Sequence, residues 1–264
     1  MQYKNYTLAL VGLFVITCFS GAYAADEPKK EQDKPAEQKW IKMFDGENLD
    51  NWSVPEIGGS GPVEIEDGMI FIGMGAGASG IQYEKEFPKK DYEIRYEAKK
   101  KNGYDFFGAI TFPYLDSHCT FVNGGWGGGT IGLSSIDSRD ASENQTTNYF
   151  HFDKTSWYEF RVRVAEGRIT VWIKEFKSKE KIAKEEQDKA DGKTARPERD
   201  PNEPVVDFFC EDHKISLRFE SNYFKPIGIA TWMTEGLIRK IEYRMLTPEE
   251  IEKVKKEVEA EMKR

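Results

Sequence analysis

Hydrophobic and polar positions alternate along most of the chain, the pattern of half-buried strands whose side chains point to opposite faces. Between Asp91 and Lys99, Tyr92, Ile94, Tyr96 and Ala98 share one face, and Glu93, Arg95, Glu97 and Lys99 share the other. Trp157 to Val164 repeats it, with Tyr158, Phe160, Val162 and Val164 inward and Glu159, Arg161 and Arg163 outward. Glu166-Gly167 then turns the chain back into Arg168 to Ile173. The outward rows predict cross-strand ion pairs on a wet face, the alternative being an open concave face that holds a glycan. Tyr104 to Pro113 is more continuously apolar, as a strand covered on both faces would be. Val63 to Glu66 and Met69 to Ile72, joined by Asp67-Gly68, predict a tight hairpin. Further strand-like runs follow at Val205 to Phe209, Lys214 to Phe219, Ile227 to Thr231 and Leu237 to Leu246. A dozen or so short strands with turn signals and no repeat unit predict an all-β sandwich over residues 40–246.

The breaks in this pattern divide the chain. Lys4, the apolar run Leu8 to Phe19 and Ala22-Tyr23-Ala24 read as a cleaved signal peptide, residues 1–24, which implies a secreted, periplasmic or cell-envelope protein. Cys18 offers lipidation as an alternative, against which Thr17 is a poor fit. Residues 25–39 are charged, proline-punctuated and without large apolar side chains, a disordered linker. Residues 175–204 are a charged insertion with a short helix expected near Lys179 to Lys189 and no site. At the end, Thr247-Pro248-Glu249-Glu250 is a capping box that opens an amphipathic helix over 247–264, with Ile251, Val254, Val258 and Met262 as its apolar stripe. Gly75-Ala76-Gly77-Ala78-Ser79-Gly80 spells a dinucleotide fingerprint, but an alternating strand follows it where that motif needs a helix, so it reads as a glycine-rich turn.

The most informative break lies between two strand-like runs, His118 to Asn123 and Thr130 to Ser134. Five glycines and Trp126 join them, and a polar loop with Asp137, Arg139, Asp140, Glu143 and Asn144 follows. Glycines allow tight turns and close approach of backbone to ligand, and loops carried on strands are common binding sites. The plainer alternative is a hairpin whose glycines serve only sheet curvature.

Composition narrows the chemistry. A formal net charge of -8 over 264 residues argues against nucleic acid, which needs a basic footprint. Beyond the leader only Cys119 and Cys210 remain, and whether they pair is open. The three histidines (His118, His151 and His213) are scattered, and no zinc, nucleophile-elbow or phosphate-loop motif occurs. Carboxylates remain: Asp105, Asp116, Asp137, Asp140 and Glu143 fall near the central stretch, without the E-x-D spacing that sandwich glycanases often carry. The oxygens of Asp137, Asp140, Glu143 and Asn144 make a divalent metal such as calcium an option, although they do not match an EF-hand loop.

Several of these segments together resemble the 3-keto-disaccharide hydrolase domain family. Phe44-Asp45-Gly46-Glu47-Asn48-Leu49-Asp50-Asn51-Trp52 is similar to its F-[DN]-G-x-x-L-x-x-W motif. Asp91-Tyr92-Glu93-Ile94, Ser156 to Val162, Lys225 to Ala230 and Ile238 to Ile241 follow in order. The resemblance implies a concanavalin A-like jelly roll with a C-terminal helix, and cleavage of glycosides whose C3 hydroxyl has been oxidised to a ketone. The central strands depart from the family's N-S-G-x-x-x-R and E-x-Q-x-x-D patterns, which marks a divergent branch. Three functions are carried forward: a sugar-processing enzyme, a carbohydrate-binding module without catalysis, and an envelope interaction domain. In the first, Asp137 or His118 serves as base and Glu143 as acid. Asn123, Arg139 and Asn144 hold the substrate, and Trp126 stacks on the sugar.

Overall fold

The computed structural model describes residues 39–194 and 197–263, together with Met1. The expected leader, Cys18 and the linker up to residue 38 lie outside the described residues. The strands, in chain order, are β1 (Ile41–Lys42), β2 (Trp52–Ser53), β3 (Val63–Glu66), β4 (Met69–Ile72), β5 (Ala78–Tyr83), β6 (Tyr92–Gly103), β7 (Ala109–Tyr114) and β8 (Ser117–Gly124). They continue with β9 (Thr130–Ser134), β10 (Asn148–Tyr149), β11 (Trp157–Ala165), β12 (Arg168–Phe176), β13 (Val206–Phe209), β14 (Gly228–Trp232) and β15 (Thr234–Met245). They build two antiparallel sheets. One runs β13-β12-β11-β6-β15-β4-β3, with β1 added to β15, and the other runs β10-β9-β8-β7-β14-β5-β2. The result is the expected all-β jelly-roll sandwich.

Alternation explains how the layers close. Tyr92, Ile94, Tyr96, Tyr158, Phe160, Val162 and Val164 face inward from β6 and β11. They meet Ile110, Phe112, Phe121, Ile131 and Leu133 from the other sheet, all fully buried. On the outer face of the first sheet the charged rows pair across strands: Arg163 with Glu93 at 2.8 Å, Arg95 with Glu242 at 2.8 Å and Arg239 with Glu97 at 2.7 Å. Arginine planes also stack on tryptophans there, Arg95 on Trp40, Arg161 on Trp172 and Arg239 on Trp157, at about 4 Å. The ion-pair reading of those rows therefore holds, although Glu93 and Glu97 are buried under their partners rather than wet. Asp67 and Gly68 both take left-handed φ (48° and 75°), as the β3–β4 hairpin requires.

The C-terminal helix spans Pro248–Glu261 behind the full capping box. Val254 and Val258 dock against Ala165 and Leu246, while Met262 stays exposed, so the apolar stripe ends one turn earlier than expected. The insertion forms a helix, Lys179–Ala190. Two sequence expectations are corrected. Lys214 to Phe219 is not a strand: only Ile215 bridges to Ile136, and the chain then enters a 3-10 helix, Glu220–Phe224. Residues 104–108 turn before β7 begins, and Phe107 there is buried against Phe152, Tyr158 and Phe160. Cys119 and Cys210 are both buried free thiols, held protonated by burial, with Cys210 pushed up to about 12.

Candidate active site

Small residues hollow the outer face of the seven-stranded sheet. On β7, Ala109 and Thr111 point outward while Ile110 and Phe112 enter the core. On β8, Thr120 and Val122 point outward and Cys119 and Phe121 point inward. Thr111 sits opposite both Gly228 and Thr120, and Thr120 opposite Ser134, so a line of side chains no larger than threonine crosses four strands. Thr111, Thr120 and Ser134, with Ala78 and Ala230, floor a cleft of about 270 Å³. The two threonine hydroxyls bond each other at 2.9 Å.

The 3-10 helix brings charge to this floor. Its Phe224 is buried against Ala78 and Ala230. Gly80 and Gly228 make its seat, since a Cβ at Gly228 would stand 2.8 Å from the Phe224 Cβ, and one at Gly80 would stand 2.9 Å from its ring. Arg218, Glu220 and Ser221 thereby line the cleft. The Arg218 guanidinium is fixed by an ion pair with Asp140 and by Glu220 at 3.6 Å.

The glycine hinge brings the second group. The chain between β8 and β9 takes left-handed φ at Gly124, Trp126, Gly127 and Gly128, and Trp126 lines the cleft with 46% of its surface exposed. Asp105, half-buried in the same lining, accepts from the backbone N–H of Phe106 at 2.8 Å and faces the backbone of the glycine hinge. Burial raises its carboxyl above the ordinary value, opposed by the Phe106 amide and by the Lys100 ammonium. Phe106 and Trp232 complete this apolar end, with ring centroids 6.3 Å apart. The arrangement offers flat apolar surface for a sugar face, one carboxylate of raised proton affinity, and a fixed guanidinium.

The residues expected to form the site are dispersed. Trp126 alone among them lines the cleft. His118 lies two positions from Thr120 on β8, on the same face but beyond the lining, and burial together with Lys225 and Lys89 lowers its proton affinity. Asn123 points into the core, fully buried, with both amide atoms unpartnered, so it is not a substrate donor. Asp137 bonds His213 Nδ1 at 2.7 Å and accepts from the Lys214 amide. Arg139 and Glu143 are exposed outside the cleft. Asn144 is a structural clip: its Nδ2 donates to the carbonyls of Leu133 and Asp140, and its Oδ1 accepts from Thr146. The polar loop thus reaches the cleft only through Asp140, which holds Arg218.

Asp105 was one of five carboxylates noted near the hinge, whereas Arg218, Glu220 and Trp232 were not singled out. The overlooked signal was the run of small residues at every second position: Ala109 and Thr111, Gly228 and Ala230, Gly132 and Ser134. The four oxygen-bearing residues considered for calcium do not fit a cation. Asn144 spends its carbonyl on Thr146, Asp137 turns to His213 and Asp140 to Arg218. Among the described residues no group of three His, Cys, Asp or Glu side chains is placed to hold a metal.

Residues 39–201 match the family described as the 3-keto-alpha-glucoside-1,2-lyase-like domain. No curated protein sequence matches the chain. Among solved structures, one from work on endo-acting O-glycanases of the human gut microbiota superposes with TM-score 0.48 at 11% identity, covering 78% of this chain and 100% of that one. The apo Crh5 transglycosylase gives TM-score 0.47 at 11% identity over 80% and 84%. The exoplasmic/lumenal domain of VIP36 in its Ca2+/Man-bound form gives 0.45 at 12% over 75% and 84%.

Proposed function

The chain belongs to the 3-keto-alpha-glucoside-1,2-lyase-like family, a carbohydrate-active family, and from that premise we propose that it cleaves 3-keto-glycosides by elimination in the cleft floored by Thr111 and Thr120. A C3 ketone acidifies the proton on C2. A base removes that proton, the electron pair forms the C1–C2 double bond, and the glycosidic oxygen leaves from C1 and takes up a proton. In this reading Asp105 is the base. It replaces Asp137 and His118 in that role because, of the three, it is the one in the lining and is partly buried. Arg218 donates to the ketone oxygen as negative charge develops there, and its clamp by Asp140 and Glu220 prepays its orientation. Asp105, having taken the C2 proton, hands it on to the leaving oxygen, and Trp126 and Trp232 supply stacking surface. The leader-like residues 1–24 make export part of the proposal.

The observation that carries this reading is the convergence of Asp105, Trp126 and Arg218 on one cleft. The test is release of the aglycone from 3-keto-trehalose, with metals supplied and unoxidised trehalose as control. Release from the ketone alone is expected, and release from neither substrate would overturn the proposal. A second reading, sugar binding without turnover, is favoured by the apolar floor. Retention of 3-keto-trehalose with no aglycone release would select it.

A further inference from the structure

Four charged side chains among the described residues are less than a tenth exposed: Glu93, Glu97, Lys100 and Arg244. Three of them make contact ion pairs. Glu93 receives Arg163 and Arg244, Glu97 receives Arg239 and Lys240, and Arg244 also reaches Glu250. Lys100 makes none. A charge taken out of water without a contact partner costs stability, and such groups gather at functional sites.

Its place is specific. Lys100 continues the inward row Tyr92, Ile94, Tyr96, Ala98 of β6 and is 4% exposed. Its Nζ lies 5.2 Å from the Phe107 ring centroid. It also packs against the glycine hinge: a Cβ at Gly128 would stand 3.4 Å from the ammonium, and one at Gly125 would stand 3.6 Å from Asp105 Oδ1. The hinge thus touches the lysine with one glycine and the cleft carboxylate with another. The carboxylate whose field raises the proton affinity of Lys100 is that of Asp105, and Lys154, whose Nζ lies over the Tyr104 ring, acts against it. On the Asp105 side the facing groups are Lys100, the amides of Phe106, Trp126 and Gly127, and the Arg218 and Glu220 charges in the same cleft.

We propose that Lys100 is a positioning residue for the cleft: enclosed against the glycine hinge, its ammonium is the counter-charge that keeps the Asp105 carboxylate ionised and held beside that hinge. The inference rests on the reading of Asp105 as base. Burial lowers the proton affinity of Lys100 to about 8, so the ammonium persists at neutral pH but is sensitive to its surroundings. The lysine is held at a cost to the fold for what it does to its neighbour.

The test compares the full chain with Lys100→Met and Lys100→Arg. The Asp105 carboxyl is followed by carbon NMR, its resonance identified by its loss in Asp105→Asn, together with thermal unfolding and the pH profile of kcat/KM on 3-keto-trehalose. In Lys100→Met the carboxyl midpoint is expected to rise by at least one pH unit, and the acidic limb of the rate profile with it. The melting temperature is expected not to fall, since an unpaired buried charge has gone. Lys100→Arg is expected to restore the midpoint most of the way. An unmoved Asp105 midpoint in Lys100→Met would overturn the inference, as would a midpoint that Lys100→Arg leaves displaced. A moved midpoint with an unchanged rate profile would overturn Asp105 as base while leaving the pairing intact.

Discussion

Trp126 occupies left-handed backbone at φ 49° between glycines, a conformation that costs a bulky residue about 1–2 kcal/mol. Such strain persists where the surroundings over-determine it, often at ligand sites. Replacing it tests whether the ring serves the fold or the cleft. Trp126→Gly removes the strain and a side chain that is 46% exposed, so stability is expected to change by no more than about 1 kcal/mol. Loss of one stacking surface, worth roughly 0.5–1.5 kcal/mol, is expected to weaken sugar binding about 2- to 12-fold. Calorimetric titration of 3-keto-trehalose in an Asp105→Asn background checks this, and unchanged affinity would remove Trp126 from the site. Trp126 was legible in the sequence because a large flat side chain among five glycines has few other uses. Asp105 was not separable there from Asp137, since burial decides between carboxylates and burial depends on which loops fold over which strand.

At the scale of elements, alternation carried most of the architecture. β3, β4 and β9 match their expected limits, and β6, β11, β12 and β15 extend them by a few residues. The stretch Lys214 to Phe219 misled because its alternation serves one bridge at Ile215 and a descent into the 3-10 helix, whose seat is cut by two distant glycines, Gly80 and Gly228. The C-terminal helix was readable from its capping box, but its electrostatic anchor was not. Glu250 accepts from the Thr247 amide within the cap and also receives Arg244, which reaches on to the buried Glu93. The Arg244 guanidinium lowers the Glu250 carboxyl to about 2. Because the folded value lies below the unfolded one, the stabilisation is present above about pH 4.5 and is lost as the pH falls toward 2. Glu250→Gln is therefore expected to be less stable than the parent at pH 7, by about 1–2 kcal/mol after solvent screening of the partly exposed group. The gap is expected to close between pH 4.5 and 2 in urea titrations. A gap independent of pH would assign the loss to capping alone.

At the scale of the whole molecule, the two sheets divide the work. The outer face of one is covered with arginine, tryptophan and carboxylate pairs. The outer face of the other carries a line of glycine, threonine and serine flanked by alanines, so that a cleft remains between the glycine hinge and the 3-10 helix. Strand count and the F-D-G-x-x-L-x-x-W segment made the sandwich and the family legible. Which face bears the cleft was not, because small residues at alternate positions give no hydrophobic signal. In the proposed reaction the same division makes Asp105 the base, since Asp137 is tied to His213. The most direct measurement is kcat/KM for aglycone release from 3-keto-trehalose by Asp105→Asn and Asp137→Asn, side by side with the parent. A loss of at least about 100-fold in Asp105→Asn is expected, the scale of a missing general base, with Asp137→Asn close to the parent. Full activity in Asp105→Asn, or a collapse confined to Asp137→Asn, would contradict it.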